Sequence, residues 1–146
     1  ASTGFSNLSK ILKNTHALIL NKEEAELIVG KGEIPDLAKR LKLDNMDYVV
    51  ITNGSKGASC YDGKILYEIK PKKIKIKETT GAGDAFASTF VAGLIKNKAV
   101  KECLKMAIIN SESVIQNYGA KNILLTRNKL AEQLKKDKRI IKKRKL

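Results

Sequence analysis

The sequence predicts an α/β fold, a parallel sheet flanked by helices. Two apolar runs support this prediction, residues 16–20 (HALIL) and residues 48–52 (YVVIT). Both are short, rich in aliphatic or β-branched side chains, and apolar on both faces, as expected of strands buried in a parallel sheet. Helical patterns fill the chain between them, which is the arrangement of a βαβ unit.

Three helices are predicted around these first two strands, at residues 6–12, 22–29 and 34–43. Apolar residues in the first recur at helical spacing after a possible cap at Ser6-Asn7. Asn21 precedes the second helix, which Gly30 ends. The third has Pro35 in its first turn, where the missing N–H of proline costs nothing.

The segment after Gly57 has a different pattern. Residues 58–61 and 65–69 flank Asp62-Gly63 and predict a β-hairpin. Residues 70–77 then alternate Lys and Ile, which predicts an edge strand with one face in water. The sequence therefore adds antiparallel strands beside the parallel pair.

Long helices are predicted for the rest of the chain, at about residues 82–96 and 100–117, with Gly119 just past the second. Thr126 caps a last helix, which runs into a basic tail at residues 135–146. This tail carries half of the net charge of +14. It is either a solvated, frayed helix end or a segment with weak, salt-sensitive attraction to a polyanion. No aromatic residues are interleaved, so base stacking is not indicated and nucleic acid is disfavoured as a partner.

Composition limits the class of protein. With 146 residues, 42% of them hydrophobic, the chain is expected to form one domain with a substantial core. No apolar run reaches the ~18 residues of a transmembrane helix, so no membrane partner is expected. Cys60 and Cys103 lack metal-ligand spacing and indicate a reduced, cytoplasmic protein. The single histidine, His16, is interpreted as structural, which disfavours a zinc site.

Residues 78–93 (ETTGAGDAFASTFVAG) are the most informative run. Gly81 and Gly83 lie at a loop-to-helix junction, where free backbone N–H groups and the helix dipole favour an anion. Asp84 follows directly, placed to accept a proton from an attacking hydroxyl. The alternative is a simple helix start, with Thr79 or Thr80 as its cap and Asp84 as a first-turn acid.

The run Gly81-Ala82-Gly83-Asp84-Ala85-Phe86, preceded by Thr79-Thr80, resembles the C-terminal signature of the ribokinase-like (PfkB) family of carbohydrate and nucleoside kinases. This resemblance implies an ATP-dependent phosphotransferase acting on a hydroxyl of a sugar or nucleoside. Asp84 would be the general base. The backbone N–H groups of Gly81, Ala82 and Gly83 would form an anion hole for the transferring phosphoryl group.

Asn21 and Glu24 match the Asn-x-x-Glu motif of the same family, which holds Mg²⁺ largely through water. They follow a predicted strand at its carboxyl end, where ligands gather in open α/β sheets. The alternative is a helix capping box.

Thr52, Gly54 and Gly57 resemble the Thr-x-Gly-x-x-Gly segment that lines the nucleotide phosphates in this family. A tight turn into the hairpin explains the same residues, and both interpretations can hold at once. Asn110 aligns with a position near the adenine in relatives, the alternative being a solvent-facing polar residue.

Gly119-Ala120 resembles the closing Gly-Ala of the family, beside which several members bind a monovalent cation. Glu78 stands where many members have Asp. Its extra methylene displaces the ligand oxygen, which disfavours that cation site here.

The resemblance extends to about residue 134 and covers only the C-terminal half of the family pattern. The N-terminal portion, with its first strands, its glycine-rich substrate motif and its β-lid, is missing. We therefore expect weak adenine-nucleotide binding and little turnover, because the groups that orient the sugar or nucleoside are absent. The exposed sheet edge predicts a homo-oligomer. Two other functions remain open, a non-catalytic nucleotide-binding or regulatory module and a protein that binds polyanions through its tail.

Overall fold

A computed structural model describes residue 10 and residues 12–116, 118 and 124–146. Two compact units are present: residues 1–68 with 142–146, and residues 69–141. The predicted helix at residues 6–12 lies almost entirely outside the described residues, and Gly119 and Ala120 lie outside them too. Every helix in the described ranges is too short or too polar to span a lipid bilayer.

The first unit contains a five-stranded sheet in the order β1-β2-β3-β4-β5. Its strands are β1 (Ala17–Asn21), β2 (Tyr48–Thr52), β3 (Ala58–Tyr61), β4 (Ile65–Ile69) and β5 (Lys142–Lys145). β1 and β2 are parallel, whereas β2 with β3 and β4 with β5 are antiparallel. The predicted parallel pair is therefore confirmed, and the hairpin makes the sheet mixed.

Two helices connect β1 to β2, α1 (Lys22–Val29) and α2 (Ile34–Leu41). Pro35 lies in the first turn of α2, as predicted, and Leu37, Ala38 and Leu41 form its buried face. These side chains pack in a core with buried residues of the sheet, among them Leu20, Val49, Ile51, Tyr61 and Leu66. The alternation of helix and strand thus produces one apolar layer that fixes the ends of β1 and β2.

The second unit contains three helices: α3 (Ala82–Ile95), α4 (Val100–Ile115) and α5 (Arg127–Lys136). Thr126 caps α5 as predicted, accepting a bond from the Lys129 N–H. α3 and α4 pack closely where Gly93 faces Cys103, since a Cβ built on Gly93 would stand 2.7 Å from the Cys103 Sγ. Burial of the Cys103 thiol raises its pKa to about 11, so at neutral pH it is a protonated, unreactive core group.

Two predictions for the basic segments are wrong. Residues 70–77 form no strand, because the free edge of β4 is taken by β5 and the backbone of Lys77 bonds to α4 instead. The tail is not a frayed helix end, because α5 ends at Lys136 and residues 142–145 form the outer strand of the sheet. These four tail side chains are exposed, as expected of basic residues.

Candidate active site

The candidate residues fall into two groups, one in each unit. Asn21, Glu24, Thr52, Gly54 and Gly57 belong to the first unit; Gly81, Ala82, Gly83, Asp84 and Asn110 belong to the second.

In the first unit, the carboxyl ends of β1 and β2 bring three of these residues to one edge of the sheet. Asn21 pairs with Thr52 in the parallel register, and Glu24 follows in the first turn of α1. The Thr52 hydroxyl makes no hydrogen bond to the described residues. The sequence placed each residue at the carboxyl end of its own strand, and the parallel register brings Asn21 beside Thr52.

Asn21 and Glu24 form a complete capping box. The Glu24 N–H donates to Asn21 Oδ1 at 2.8 Å, and the Asn21 N–H donates to Glu24 Oε2 at 2.8 Å. The capping alternative is therefore present in the structure. Glu24 Oε1 has no partner among the described residues, so one carboxylate oxygen stays available for another contact.

This donor set suits a metal held through water rather than a protein cage. No cluster of three or more His, Cys, Asp or Glu side chains that could hold a metal occurs in the described part of the chain. Mg²⁺ commonly keeps several waters and takes one or two carboxylates. The Glu24 oxygen, which lies in the first turn of α1 just past the end of β1 and has no partner among the described groups, is compatible with that mode of binding.

A tight turn follows Thr52. Gly54 and Gly57 have φ values of +48° and +104°, and residues Gly54–Lys56 form a short 3₁₀ helix. Such φ values favour glycine over any residue with a Cβ. A Cβ built on Gly54 would meet nothing within 4 Å, so the space beside its backbone is open. The predicted turn is confirmed, and its geometry also leaves room for a phosphate.

In the second unit, Gly81 begins α3 in the left-handed conformation, with a φ of 81°. No side chain caps this helix, so the alternative of a Thr79 or Thr80 cap is wrong. The Ala82 N–H donates to the Thr79 carbonyl at 3.2 Å. The next two N–H groups, those of Gly83 and Asp84, have no partner among the described residues.

Asp84 is exposed, and its carboxylate makes no hydrogen bond or ion pair to the described residues. A Cβ built on Gly83 would meet nothing within 4 Å. The amino end of α3 therefore presents an open approach to the backbone, together with two N–H donors and a carboxylate that make no contact with other described groups.

Asn110 is buried, so the solvent-facing alternative is wrong. Its Nδ2 donates to Thr89 Oγ1 of α3 at 2.8 Å, and its Oδ1 accepts from the Leu125 N–H at 2.9 Å. Its second Nδ2 hydrogen has no partner among the residues that the structure describes. Asn110 also lines a cavity of about 680 Å³ formed by α3, α4 and α5. The walls of this cavity are mostly apolar, and its cationic side chains are Lys96, Lys98, Arg127 and Lys135.

Sequence reasoning missed a charge cluster in the same unit, in which the buried Glu112 and Asp137 pair with Arg139 and with the exposed Lys72. One signal was available, because Glu112 falls on the buried face of α4. The other members lie in segments whose pattern gives no indication of burial.

Comparison with known proteins identifies the family. A model described as pfkB family carbohydrate kinase matches residues 2–127. The chain belongs to this family. A sugar kinase of Archaeoglobus fulgidus, itself described as uncharacterized, is 32% identical over 121 residues, which are 83% of this chain and 48% of the relative. The cytidine kinase of Thermococcus kodakarensis is 33% identical over 116 residues, 77% of this chain and 41% of that enzyme.

Solved structures show the same fold. The nucleoside kinase of Methanocaldococcus jannaschii, a ribokinase family member, superposes with a TM-score of 0.77 at 28% identity, covering 92% of this chain and 44% of that one. A ribokinase of Cryptococcus neoformans, solved with ADP, gives a TM-score of 0.68 at 29% identity over 80% of this chain and 44% of its own. The fold is therefore ribokinase-like, and the chain spans less than half the length of these kinases.

Proposed function

We propose that this chain forms the nucleotide-binding and general-base part of an ATP-dependent phosphotransferase that acts on a hydroxyl of a sugar or nucleoside. The amino end of α3 supports this most directly. It combines two N–H donors and an exposed carboxylate, none of which has a partner in the described part of the chain, with a glycine that has open space beside it. Membership of a kinase family makes phosphoryl transfer the chemistry that this arrangement serves.

Asp84 is the general base in this proposal. It accepts the proton of the acceptor hydroxyl as that oxygen attacks the terminal phosphorus, a role that contributes about 10²–10⁴-fold in rate. Because its carboxylate has no partner among the described residues, it reaches the hydroxyl without first breaking an ion pair to any of them.

The N–H groups of Gly83 and Asp84 donate to the oxygens of the transferring phosphoryl group. Fixed donors at a helix amino end stabilise developing negative charge, and the helix dipole adds to their effect. Gly81 contributes the left-handed turn that aims them. The Ala82 N–H can also donate to the phosphoryl group only if its hydrogen bond to the Thr79 carbonyl breaks.

The first unit contributes phosphate contacts of its own in this proposal. The Thr52 hydroxyl and the open backbone at Gly54 contact phosphate oxygens, in line with the family segment that they resemble. Gly57 is buried and closes the turn, since its N–H donates to the Gly54 carbonyl at 3.0 Å. Asn110 would use its second Nδ2 hydrogen for the base, because its other polar atoms already hold α3 and Leu125.

Glu24, held by Asn21, would take Mg²⁺ through water. When bound, the ion neutralises charge on the nucleotide phosphates. Glu24 Oε1 would be the acceptor toward the hydrated ion, while Oε2 keeps the side chain in place through the capping box.

The relatives point to the class of acceptor but not to one compound, since their names include sugar, cytidine, nucleoside and ribose kinases. The chain spans less than half of their length, and the groups that orient the acceptor are expected elsewhere. Orientation supplies several kcal/mol of barrier lowering, so we expect nucleotide binding with little turnover from these 146 residues.

Calorimetric titration of ATP with Mg²⁺ tests the proposal, using the chain, Asp84→Asn and Gly83→Ala. We expect saturable binding that Asp84→Asn leaves within about twofold, since a base contributes to the transition state rather than to affinity. Gly83→Ala should weaken binding about tenfold, because its methyl group stands where the phosphate approaches. Unfolding curves of Gly83→Ala serve as the control for stability. No loss of stability is expected, because the added methyl group meets no atom of the described residues within 4 Å.

Two results would contradict the proposal. No binding by the unsubstituted chain would remove the nucleotide site, and loss of binding in Asp84→Asn would make Asp84 a binding group. Any residual transfer of phosphate to ribose or cytidine should fall at least about 10²-fold in Asp84→Asn.

A further inference from the structure

Residues 72–78 precede the turn that begins at Gly81. They have no regular secondary structure, but hydrogen bonds hold them against α4. The Lys72 N–H donates to Glu112 Oε1 at 2.7 Å. Farther along, the Lys77 and Glu78 N–H groups donate to the Ile115 carbonyl at 2.8 and 3.4 Å. Because this segment continues directly into Gly81, its path sets where the turn begins.

Arg139 holds in place the Glu112 side chain, which accepts the first of these hydrogen bonds, the one from the Lys72 N–H. Its Nη1 lies 2.5 Å from Glu112 Oε1, the same oxygen that accepts from the Lys72 N–H. Its Nε and Nη2 donate to Asp137 Oδ2 at 2.9 and 2.7 Å. The guanidinium therefore spans two carboxylates with its planar fork, which a lysine ammonium cannot reproduce.

Lys72 closes the cluster, with its Nζ 3.2 Å from Asp137 Oδ2. The charges of the two carboxylates and of the two cationic side chains thus neutralise each other. The Asp137 side chain is fully buried, and those of Glu112 and Arg139 are 9% and 12% exposed. Buried charges persist only when paired in good geometry.

The pKa of Asp137 reflects this pairing. Burial acts to raise it, but hydrogen bonds from the side chain and backbone of Arg139, with a further contribution from Lys72, hold it well below its usual range. Asp137 is therefore charged at neutral pH and keeps Arg139 in place.

The cluster does more than link side chains of α4 to side chains of the tail, because it also includes a backbone N–H group of residues 72–78. Movement of the Glu112 carboxylate is passed to the main chain at Lys72, nine residues before Gly81. The side chains of the cluster thus affect the backbone that leads to residues 81–84, which are the proposed phosphate cradle.

We propose that Arg139 is a positioning residue, which by fixing Glu112 holds residues 72–78, and through them the turn at residues 81–84, in one conformation. It rests on the proposed function in one respect, that this turn binds phosphate. The segment after α5, which follows the part matched to the family model, would then serve the site.

Arg139→Lys tests this inference, because it keeps the charge and removes the fork. Amide hydrogen exchange is measured at Lys72 and Lys77, with Phe90 and Leu104 as reference amides in the core of the unit. We expect about tenfold faster exchange at Lys72 and Lys77 and unchanged exchange at the references. The Kd for ATP with Mg²⁺ should rise about tenfold.

Arg144→Lys is the matched control. Arg144 lies in the same tail, and its Nη2 is 4.0 Å from Glu68 Oε2, outside the cluster. This substitution should leave both exchange and nucleotide binding unchanged.

Unchanged exchange at Lys72 and Lys77 in Arg139→Lys would overturn the inference, as would equal acceleration at Phe90 and Leu104, which indicates general loss of stability. If the unsubstituted chain binds no nucleotide, the proposed function fails, while the exchange data still decide whether Arg139 positions the segment. Local acceleration with unchanged Kd would refute the link to the phosphate cradle.

A second pair of variants covers the case in which Arg139→Lys does not fold. Glu112→Gln keeps an acceptor for the Lys72 N–H and should keep its protection, whereas Glu112→Ala should lose it. Equal exchange at Lys72 in these two variants would contradict the role of Glu112.

Discussion

At the scale of single residues, Glu24 combines a structural contact with a proposed binding role, and one substitution separates them. Glutamine also serves in a capping box, so Glu24→Gln should keep the bond to the Asn21 N–H and change the free energy of unfolding by less than about 0.5 kcal/mol. It removes the charge assigned to Mg²⁺, so the dependence of ATP affinity on Mg²⁺ should fall. Urea unfolding and titrations at several Mg²⁺ concentrations measure the two effects.

Asn21→Ala is the comparison for the structural role, because it removes the cap acceptor and should cost about 1 kcal/mol. An unchanged Mg²⁺ dependence in Glu24→Gln would show that Glu24 is only a cap.

Asn21, Glu24 and Asn110 show which contacts can be predicted from a sequence. The capping box links positions three apart and was recognisable as an alternative, because its geometry is local. The burial of Asn110 was not, since its partners lie 21 and 15 residues away. Periodicity places a residue on a helix face, but the packing of other elements decides whether water reaches that face.

At the scale of elements, the packing of α3 on α4 depends on Gly93. Alanine is favoured over glycine inside a helix by about 1 kcal/mol, but overpacking a close contact costs about 1–3 kcal/mol. The added Cβ would stand 2.7 Å from the Cys103 Sγ and 3.4 Å from its Cα, so the backbone as well as the thiol resists. Gly93→Ala should therefore lower the free energy of unfolding by about 1–2 kcal/mol in urea.

Gly83→Ala in the same helix is the matched control, since its Cβ meets nothing within 4 Å and stability should hold or rise. Adding Cys103→Ala to Gly93→Ala should recover part of the loss, a coupling that a double-mutant cycle reports. Equal effects of the two glycine substitutions would mean that close packing at Gly93 does not limit stability.

Element prediction failed where strand pairing is decided by distant residues. The Lys-Ile alternation at residues 70–77 is a valid edge-strand pattern, yet β5 pairs with β4 instead. Residues 142–145 (KKRK) carry no strand pattern of their own. Their pairing is supported by Lys143 over the Tyr67 ring, at 5.9 Å, and by Arg144 near Glu68. By contrast, helices with local signals end within about two residues of their predicted bounds, as is usual for such limits.

At the scale of the whole molecule, sheet edges and net charge act in opposite directions on self-association. Among the described residues, β1 and β5 are the outer strands of the sheet. β5 presents four cationic side chains, which repel a second copy, whereas β1 is apolar. The net charge of +14 also opposes association at low salt. Pairing between copies is therefore expected to use β1 and to strengthen with salt.

Sedimentation velocity at about 0.05 and 1 M NaCl measures this, because the Debye length falls to about 3 Å at the higher concentration. We expect a concentration-dependent dimer at high salt that Ile19→Lys abolishes, since Ile19 lies on the opposite face of β1 from the core residues Leu18 and Leu20. Leu27→Lys is the matched control: it adds the same charge at a side chain of α1 that is 83% exposed, and it should leave the dimer intact. A monomer at both salt concentrations, or a dimer that both substitutions weaken equally, would show that the β1 edge does not pair two copies.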